Sequence, residues 1–506
     1  MRYSYRTRMP VLALLMALAG ALSCIHPWTR NVSREAVRAA FDASLSGMVY
    51  EWDPADPRPE AERRMALVDF MTETFGSSFW VPRSLLDGNL ITRAVAGDPE
   101  TIARERVGLV LWPENRVTPV YGVSPSAAPE GPLSFTSNCA MCHLEEIDGV
   151  VYFGAGNKAF DEKALVASLE RLTGPLGRRI LSRGSEADGM AAQANAILKQ
   201  RLHEKASPLT RGRSTAFAGS HVEFYIRAHG GALPGAEEVG RGDVKIPPLW
   251  HFAAKAPFER WYVDGSFRGK IPLMASSMEL FKGRSYEEIE TQVVPAIERQ
   301  FMNVVRYIRP PRYPYGIDSV LAEKGRALFY SREVGCHTCH GVYDGKGDVR
   351  WTGVHADVGT DRGRLEVVSE GFVEAFGRSP LSARDRLARS EGYAATPLTG
   401  VWANYPYLHN GSVPTLYHLL GPEAERPKVF GVMAARGFDP ARVGQRLYAD
   451  GEGEGMSEAE LLRRFGEGRD WFNANRPGCG NQGHDVWPRI RTEENRMALI
   501  EYLKTL

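Results

Sequence analysis

Cys139-Ala140-Met141-Cys142-His143 and Cys336-His337-Thr338-Cys339-His340 decide how this 506-residue chain is read. Both are C-x-x-C-H, the spacing of covalent c-type haem attachment. Two thiols three positions apart can add to the two vinyl groups of one haem. The residue that follows then offers an imidazole nitrogen to the iron from the same side. A lone C-x-x-C would read as a redox motif or half of a zinc site. A histidine directly after it, present twice, selects haem. The expected cofactors are two covalently bound haem c groups, on Cys139 and Cys142 and on Cys336 and Cys339, with His143 and His340 as proximal iron ligands.

The rest of the chain sets the context for those two segments. A net charge of +1 gives no reason to expect nucleic acid or an anionic membrane surface as partner. With 51 glycines and 32 prolines the chain should be rich in loops. Residues 1–23 have the form of an export signal, with Arg2, Arg6 and Arg8 ahead of an apolar run from Val11 to Leu22. That run is too short for a stable membrane anchor. Ala21-Leu22-Ser23 before Cys24 admits ordinary signal cleavage or a lipoprotein cut that leaves a lipid anchor on Cys24. Export to the periplasm or an outer-membrane-associated site is expected, because haem c is attached outside the cytoplasm. Four of the six cysteines serve haem and Cys24 lies at the signal junction, so Cys479 stands alone.

The expected fold is mainly α, with two cytochrome c-type haem domains, long loops, little β and an N-terminal extension. The boundaries are 24–124 for the extension, 125–310 for the first haem domain and 311–506 for the second; the proline-rich stretch Ser124 to Pro132 marks the first of them. Helix-like patterns run from Ala61 to Phe70, from Asp161 with Leu165, Leu169 and Leu172 on one face, and from Met190 to Leu202. Ser319 to Phe329 reads as a helix, and its resemblance to the corresponding helix of small cytochromes c implies that Gly325 permits a close crossing beside the second haem. The last helix is capped by Thr492, with Met497, Ile500 and Leu503 as its apolar stripe.

Function turns on the face of each iron opposite its proximal histidine. A second strong ligand suits a haem to electron transfer, and an open face suits it to bind peroxide or dioxygen. His484, in Gly480-Asn-Gln-Gly-His-Asp485, and His409, in Tyr405-Pro-Tyr-Leu-His-Asn-Gly-Ser-Val-Pro-Thr415, are the two candidates for the second iron, and spacing does not choose between them. Met433, Met456 and Met497 are weaker candidates. Trp250, in Ile246-Pro-Pro-Leu-Trp-His251, is the residue expected between the haems. It opens an aromatic run of Phe252, Phe258, Trp261, Tyr262 and Phe267.

These residues carry a resemblance. Val358-Gly-Thr-Asp361, Thr396-Pro-Leu-Thr-Gly-Val-Trp-Ala403, Pro406 to Thr415, Arg426-Pro-Lys-Val-Phe430, Phe438-Asp-Pro440 and Gly483-His484 resemble the cytochrome c domain of bacterial di-haem peroxidases. They are most similar to the branch that contains the rubber (polyisoprene) oxygenases. Gly154-Ala-Gly-Asn157 and Pro-Pro-Leu-Trp250 extend the likeness to the first half, over residues 125 to 506 in all. The resemblance implies that His143 holds the reactive iron and that His340 and His484 hold an electron-passing one. It makes Trp250 the inter-haem tryptophan and Phe267 the distal phenylalanine, and leaves His409 to fix a nearby loop by hydrogen bonding. It also implies peroxide or dioxygen as a reactant, a redox partner such as a small cytochrome, and a calcium ion between the domains as a further cofactor. A hydrophobic polyisoprenoid substrate is the oxygenase alternative, and a non-catalytic di-haem electron carrier is the other. No glutamate matches the acid–base residue of the peroxidase pocket.

Overall fold

Two helices cross at a glycine beside the second C-x-x-C-H. Ser319–Phe329 begins where Asp318 accepts the backbone N–H groups of Val320 and Leu321, both at 3.0 Å. Glu493–Lys504 begins where the Thr492 hydroxyl accepts Asn495 N–H at 3.2 Å. A Cβ on Gly325 would sit 1.8 Å from the Ala498 carbonyl oxygen and 2.9 Å from the Tyr502 Cβ, so only hydrogen fits at that contact. Across the crossing, Leu499, Ile500 and Leu503 are buried and Met497 partly so. Each such buried aliphatic side chain contributes about 1.5–3 kcal/mol through removal from water.

A computed structural model of the chain describes residues 34–72, 80–82, 101–110, 123–126, 134–165, 167, 210–214, 242–272, 286–345, 348–432, 437–449 and 451–506. The expected export signal at residues 1–23, Cys24, Leu169, Leu172, the pattern from Met190 to Leu202 and Met433 lie outside the described residues. At the start of the described chain, Arg34–Ser44 and Glu60–Thr72 are helices. The second contains the predicted Ala61 to Phe70, and Glu60 and Glu62 in its first turn complement the helix dipole. The loop between them turns on Asp53, whose carboxylate accepts Ala55 N–H at 2.8 Å, and on Asp56, which accepts from Trp52 Nε1 at 2.6 Å.

Short strands tie the early residues to distant ones. Met48–Val49 pairs in parallel with Val150–Phe153, and Glu51–Trp52 pairs antiparallel with Ile308–Arg309. The strands among the described residues are two to four residues long, so they fix neighbours without building broad sheets. One apolar core joins Phe41, Leu67, Leu144, Phe153, Leu249, Val304, Trp402, Leu416 and Ile500. That core runs across the sequence divisions at 124/125 and 310/311. A second core gathers Phe267, Ile289, Val293, Ile297, Phe372 and Phe376 beside it. No helix among the described residues is long and apolar enough to cross a membrane.

Candidate functional site

Each C-x-x-C-H folds as one helical turn, Ala140–His143 and His337–His340, closed by His143 N–H to Cys139 O at 3.1 Å and His340 N–H to Cys336 O at 3.0 Å. The spacing therefore puts both thiols and the imidazole of a motif on one side of its turn. Both turns open into a single cavity of about 770 Å³ lined by all four motif cysteines, His143 and His340. Burial pushes the Cys139 and Cys142 thiols up to about 12 and that of Cys336 up to about 11.

At the second motif the ligand geometry is set by backbone. His340 Nδ1 donates to the Thr396 carbonyl at 2.8 Å. This fixes the proton on Nδ1 and leaves Nε2 with a free lone pair, the arrangement that a metal-ligating histidine needs. The ring of His484 faces it, with centroids 6.0 Å apart and planes at 74°. Two metal–nitrogen bonds of about 2.0 Å on opposite sides of one ion bring imidazole centroids to roughly this separation. Buried His484 Nδ1 has no hydrogen-bond partner in the protein. Cysteines, proximal imidazole, facing imidazole and cavity together fit a haem at this position.

The loop that carries His484 is held from several directions. Gly483 has φ +78°, and a Cβ there would lie 2.3 Å from the Gly359 carbonyl carbon. His484 itself has φ +49°, and its N–H donates to Val358 O at 2.8 Å. Buried Arg426 donates from Nη1 to the Asn481 and Gly483 carbonyls, both at 2.7 Å. Burial, followed by the neighbouring His340, holds His484 down to about 3, so the ring is neutral and its lone pair available.

His143 sits in a different setting. Gly154 N–H donates to its carbonyl at 2.9 Å, and the Asn157 amide bonds Met141 O and Gly108 O, so Gly154-Ala-Gly-Asn157 clamps the first turn. Burial lowers His143 to about 4, opposed by the Pro247 backbone, and its buried Nδ1 makes no hydrogen bond within the protein. Among the described residues the ring that meets His143 belongs to Phe252, edge-on at 6.4 Å, and not to a second imidazole.

Several expected residues lie elsewhere. His409 lines the cavity but stacks on Tyr393, with centroids 3.8 Å apart and planes at 17°. Its backbone carbonyl accepts Lys245 N–H at 3.0 Å, while its buried Nε2 has no partner, so loop fixing by its ring comes from stacking rather than hydrogen bonding. Met456 packs beside Leu461, Phe465 and Trp471, and Met497 at the helix crossing; neither lines the cavity. Trp250 is buried, yet its indole is outside the cavity lining, unlike Leu249, His251 and Phe252 around it. Its Nε1 donates to Thr399 O at 2.9 Å, an oxygen that also takes His251 Nε2 at 2.9 Å. Trp250 thus ties the segment after the first turn to the one that holds His340. Phe267 requires correction: it packs edge-on against Tyr262 and Phe376 in the second core and does not line the cavity. The aromatic wall is formed by Phe252, Trp261, Tyr262 and Phe301.

The sequence reading missed Phe301, Lys255 and Arg364. Phe301 is one apolar residue among many in the Val294–Val305 helix. Lys255 is fully enclosed, and burial lowers it to about 8. No local pattern marks any of the three. Among the described residues no group of three or more His, Cys, Asp or Glu side chains forms a site for a further metal such as calcium.

Residues 392–431 match the family described as RoxA-like, cytochrome c-like. That segment includes Thr396, which orients His340, and Tyr393 and His409. A cytochrome c-like segment implies haem c and electron transfer. The chain is 29% identical over 333 residues to the uncharacterized protein y4iJ of Sinorhizobium fredii (strain NBRC 101917 / NGR234), covering 52% of this chain and 51% of that protein. It is 30% identical over 245 residues to the uncharacterized protein y4iM of the same organism, covering 40% of this chain and 52% of that one. The chain spans about half the length of these curated relatives.

Proposed function

We propose that the chain is an exported di-haem c oxidoreductase with two unequal irons. Peroxide or dioxygen would react at the centre on His143, and the centre on His340 and His484 would pass electrons. The observation that carries this reading is the difference in facing rings: an imidazole opposite His340, and Phe252 at His143. When bound, haem supplies the one-electron chemistry and the site for the oxidant. The protein's own residues do the rest. Thr396 orients His340, Gly154 and Asn157 hold the His143 turn, and Phe252, Trp261 and Phe301 exclude water on the first side. Trp250 serves as the positioning link between the two halves through Thr399.

Oxygenation of a hydrophobic substrate such as a polyisoprenoid is the second reading. The cavity favours it, since Leu165, Leu249, Ile297 and Phe301 line it and would shelter an apolar chain. One set of experiments tests both. Pyridine haemochrome analysis should give two haems per chain. The ferric spectrum should contain one low-spin centre and one centre that binds carbon monoxide after reduction. Turnover with peroxide and a reduced small cytochrome, run beside oxygen and a polyisoprene, separates peroxidase from oxygenase. Two low-spin centres that refuse carbon monoxide would reduce the protein to an electron carrier and sink both readings.

A further inference from the structure

We propose that Arg364 and His409 form the carboxylate-binding pole of the second haem, receiving one of its propionates. The proposal rests on the reading that His340 and His484 hold that haem. Arg364 is 7% exposed and His409 8%, and both line the cavity. Buried Nε and Nη1 of Arg364 and buried Nε2 of His409 have no hydrogen-bond partner in the protein. A guanidinium enclosed with unused donors is costly unless an acceptor meets it, and it favours a planar carboxylate.

Asp264 does not fill that need. Its Oδ2 lies 3.3 Å from Arg364 Nε but without hydrogen-bond geometry, and it already accepts from Ser266 Oγ at 2.8 Å. The other cations that line the cavity are engaged or placed differently. Lys245 donates to Pro406 O at 2.9 Å and also to Asn404 O, and Lys255 reaches Trp261 O at 3.4 Å. Arg489 stands beside Cys336, and so at the thioether edge of the second haem.

Position selects the second haem. Arg364 follows the 358–361 loop, whose Val358 carbonyl holds the His484 N–H. Tyr393, stacked on His409, lies just before Thr396, which orients His340. Arg364 acts electrostatically on both His409 and Tyr393. The pole therefore adjoins the two segments that place His340 and His484: Arg364 follows one, and His409 stacks on Tyr393 of the other. In a haem c the propionates leave the ring away from the thioether positions, so Arg489, which acts on Cys336, is not the cation expected to meet them.

The test uses the full-length holoprotein with haem propionates carrying carbon-13, and reads midpoint potentials and redox-induced infrared difference spectra. The wild-type spectrum comes first: absence of a low-spin haem overturns both the reading and this proposal. With that haem present, Arg364→Met should lower its midpoint potential, because the ferric form no longer faces a fixed cation. The expected change is about tenfold in the ferric/ferrous equilibrium, which is 59 mV for one electron. The labelled carboxylate bands should shift in the same variant. Arg364→Lys should restore most of the potential while still moving the bands, and it carries the test if the methionine variant fails to fold. Unchanged labelled bands in a variant that retains both haems overturn the proposal, as does a shift confined to the high-spin centre.

Discussion

His484 occupies a left-handed backbone conformation, φ +49°, that costs a non-glycine residue about 1–2 kcal/mol. The contacts that offset this cost come from Val358, Arg426 and the fit of Gly483 against Gly359. Replacement with alanine should leave the second haem attached but abolish its low-spin spectrum and let it bind imidazole from solution; an unchanged spectrum would move the ligand role to His409. Acid should weaken the fold through another histidine. Burial holds His251 down to about 3 against an ordinary 6.5. As pH falls from 6.5 toward 3, the unfolded chain binds a proton that the native ring refuses, so stability drops across that window. Urea unfolding between pH 7 and 4 should show it, with a shallower fall in His251→Phe. At this scale the C-x-x-C-H residues were legible because their chemistry is local. The preference for His484 came from resemblance alone, since the Gly359–Gly483 contact that aims it joins residues far apart in sequence. The distal role of Phe267 also came from resemblance, and a local match that can slip by a residue or two does not say which of two cores the ring enters.

Among the described elements, the crossing of Ser319–Phe329 with Glu493–Lys504 is the most extensive contact. Gly325→Ala should destabilise the protein by about 3 kcal/mol, as a methyl group must displace the Ala498 carbonyl. Gly377, at the end of the Glu370–Gly377 helix, has nothing within 4 Å of its would-be Cβ. Alanine there should be neutral or stabilise by about 0.5–1 kcal/mol. Denaturant midpoints of the two variants should move in opposite directions or differ sharply. This crossing was anticipated from the likeness of Gly325 to the helix-crossing glycine of small cytochromes c, since a glycine in a helix does not by itself say what packs against it. The two-residue strands that pair Glu51–Trp52 with Ile308–Arg309 were not, since so short a segment carries no periodicity.

At the scale of the whole molecule, the apolar core disregards the boundaries drawn from the sequence. Phe41, Leu67, Leu249, Trp402 and Ile500 share it, although they come from all three proposed divisions. A fragment of residues 311–506 produced alone should therefore expose apolar surface, bind a hydrophobic dye and unfold without a sharp transition. A cooperative transition matching that of the intact chain would argue for independent domains. Motif spacing located the C-x-x-C-H segments, but composition could not show this sharing, because hydrophobic residues mark that a core exists and not who contributes to it.

The enclosure of Cys139 and Cys142 also favours an order of assembly. Burial raises these thiols to about 12, from 9, and the nucleophilic thiolate becomes about a thousandfold scarcer than on an open chain. Once the cavity has closed, its own cysteines are poor partners for a vinyl group. On the di-haem reading proposed above, a haem on Cys139 and Cys142 would be joined while residues 139–143 are still accessible, before burial makes their thiolates scarce.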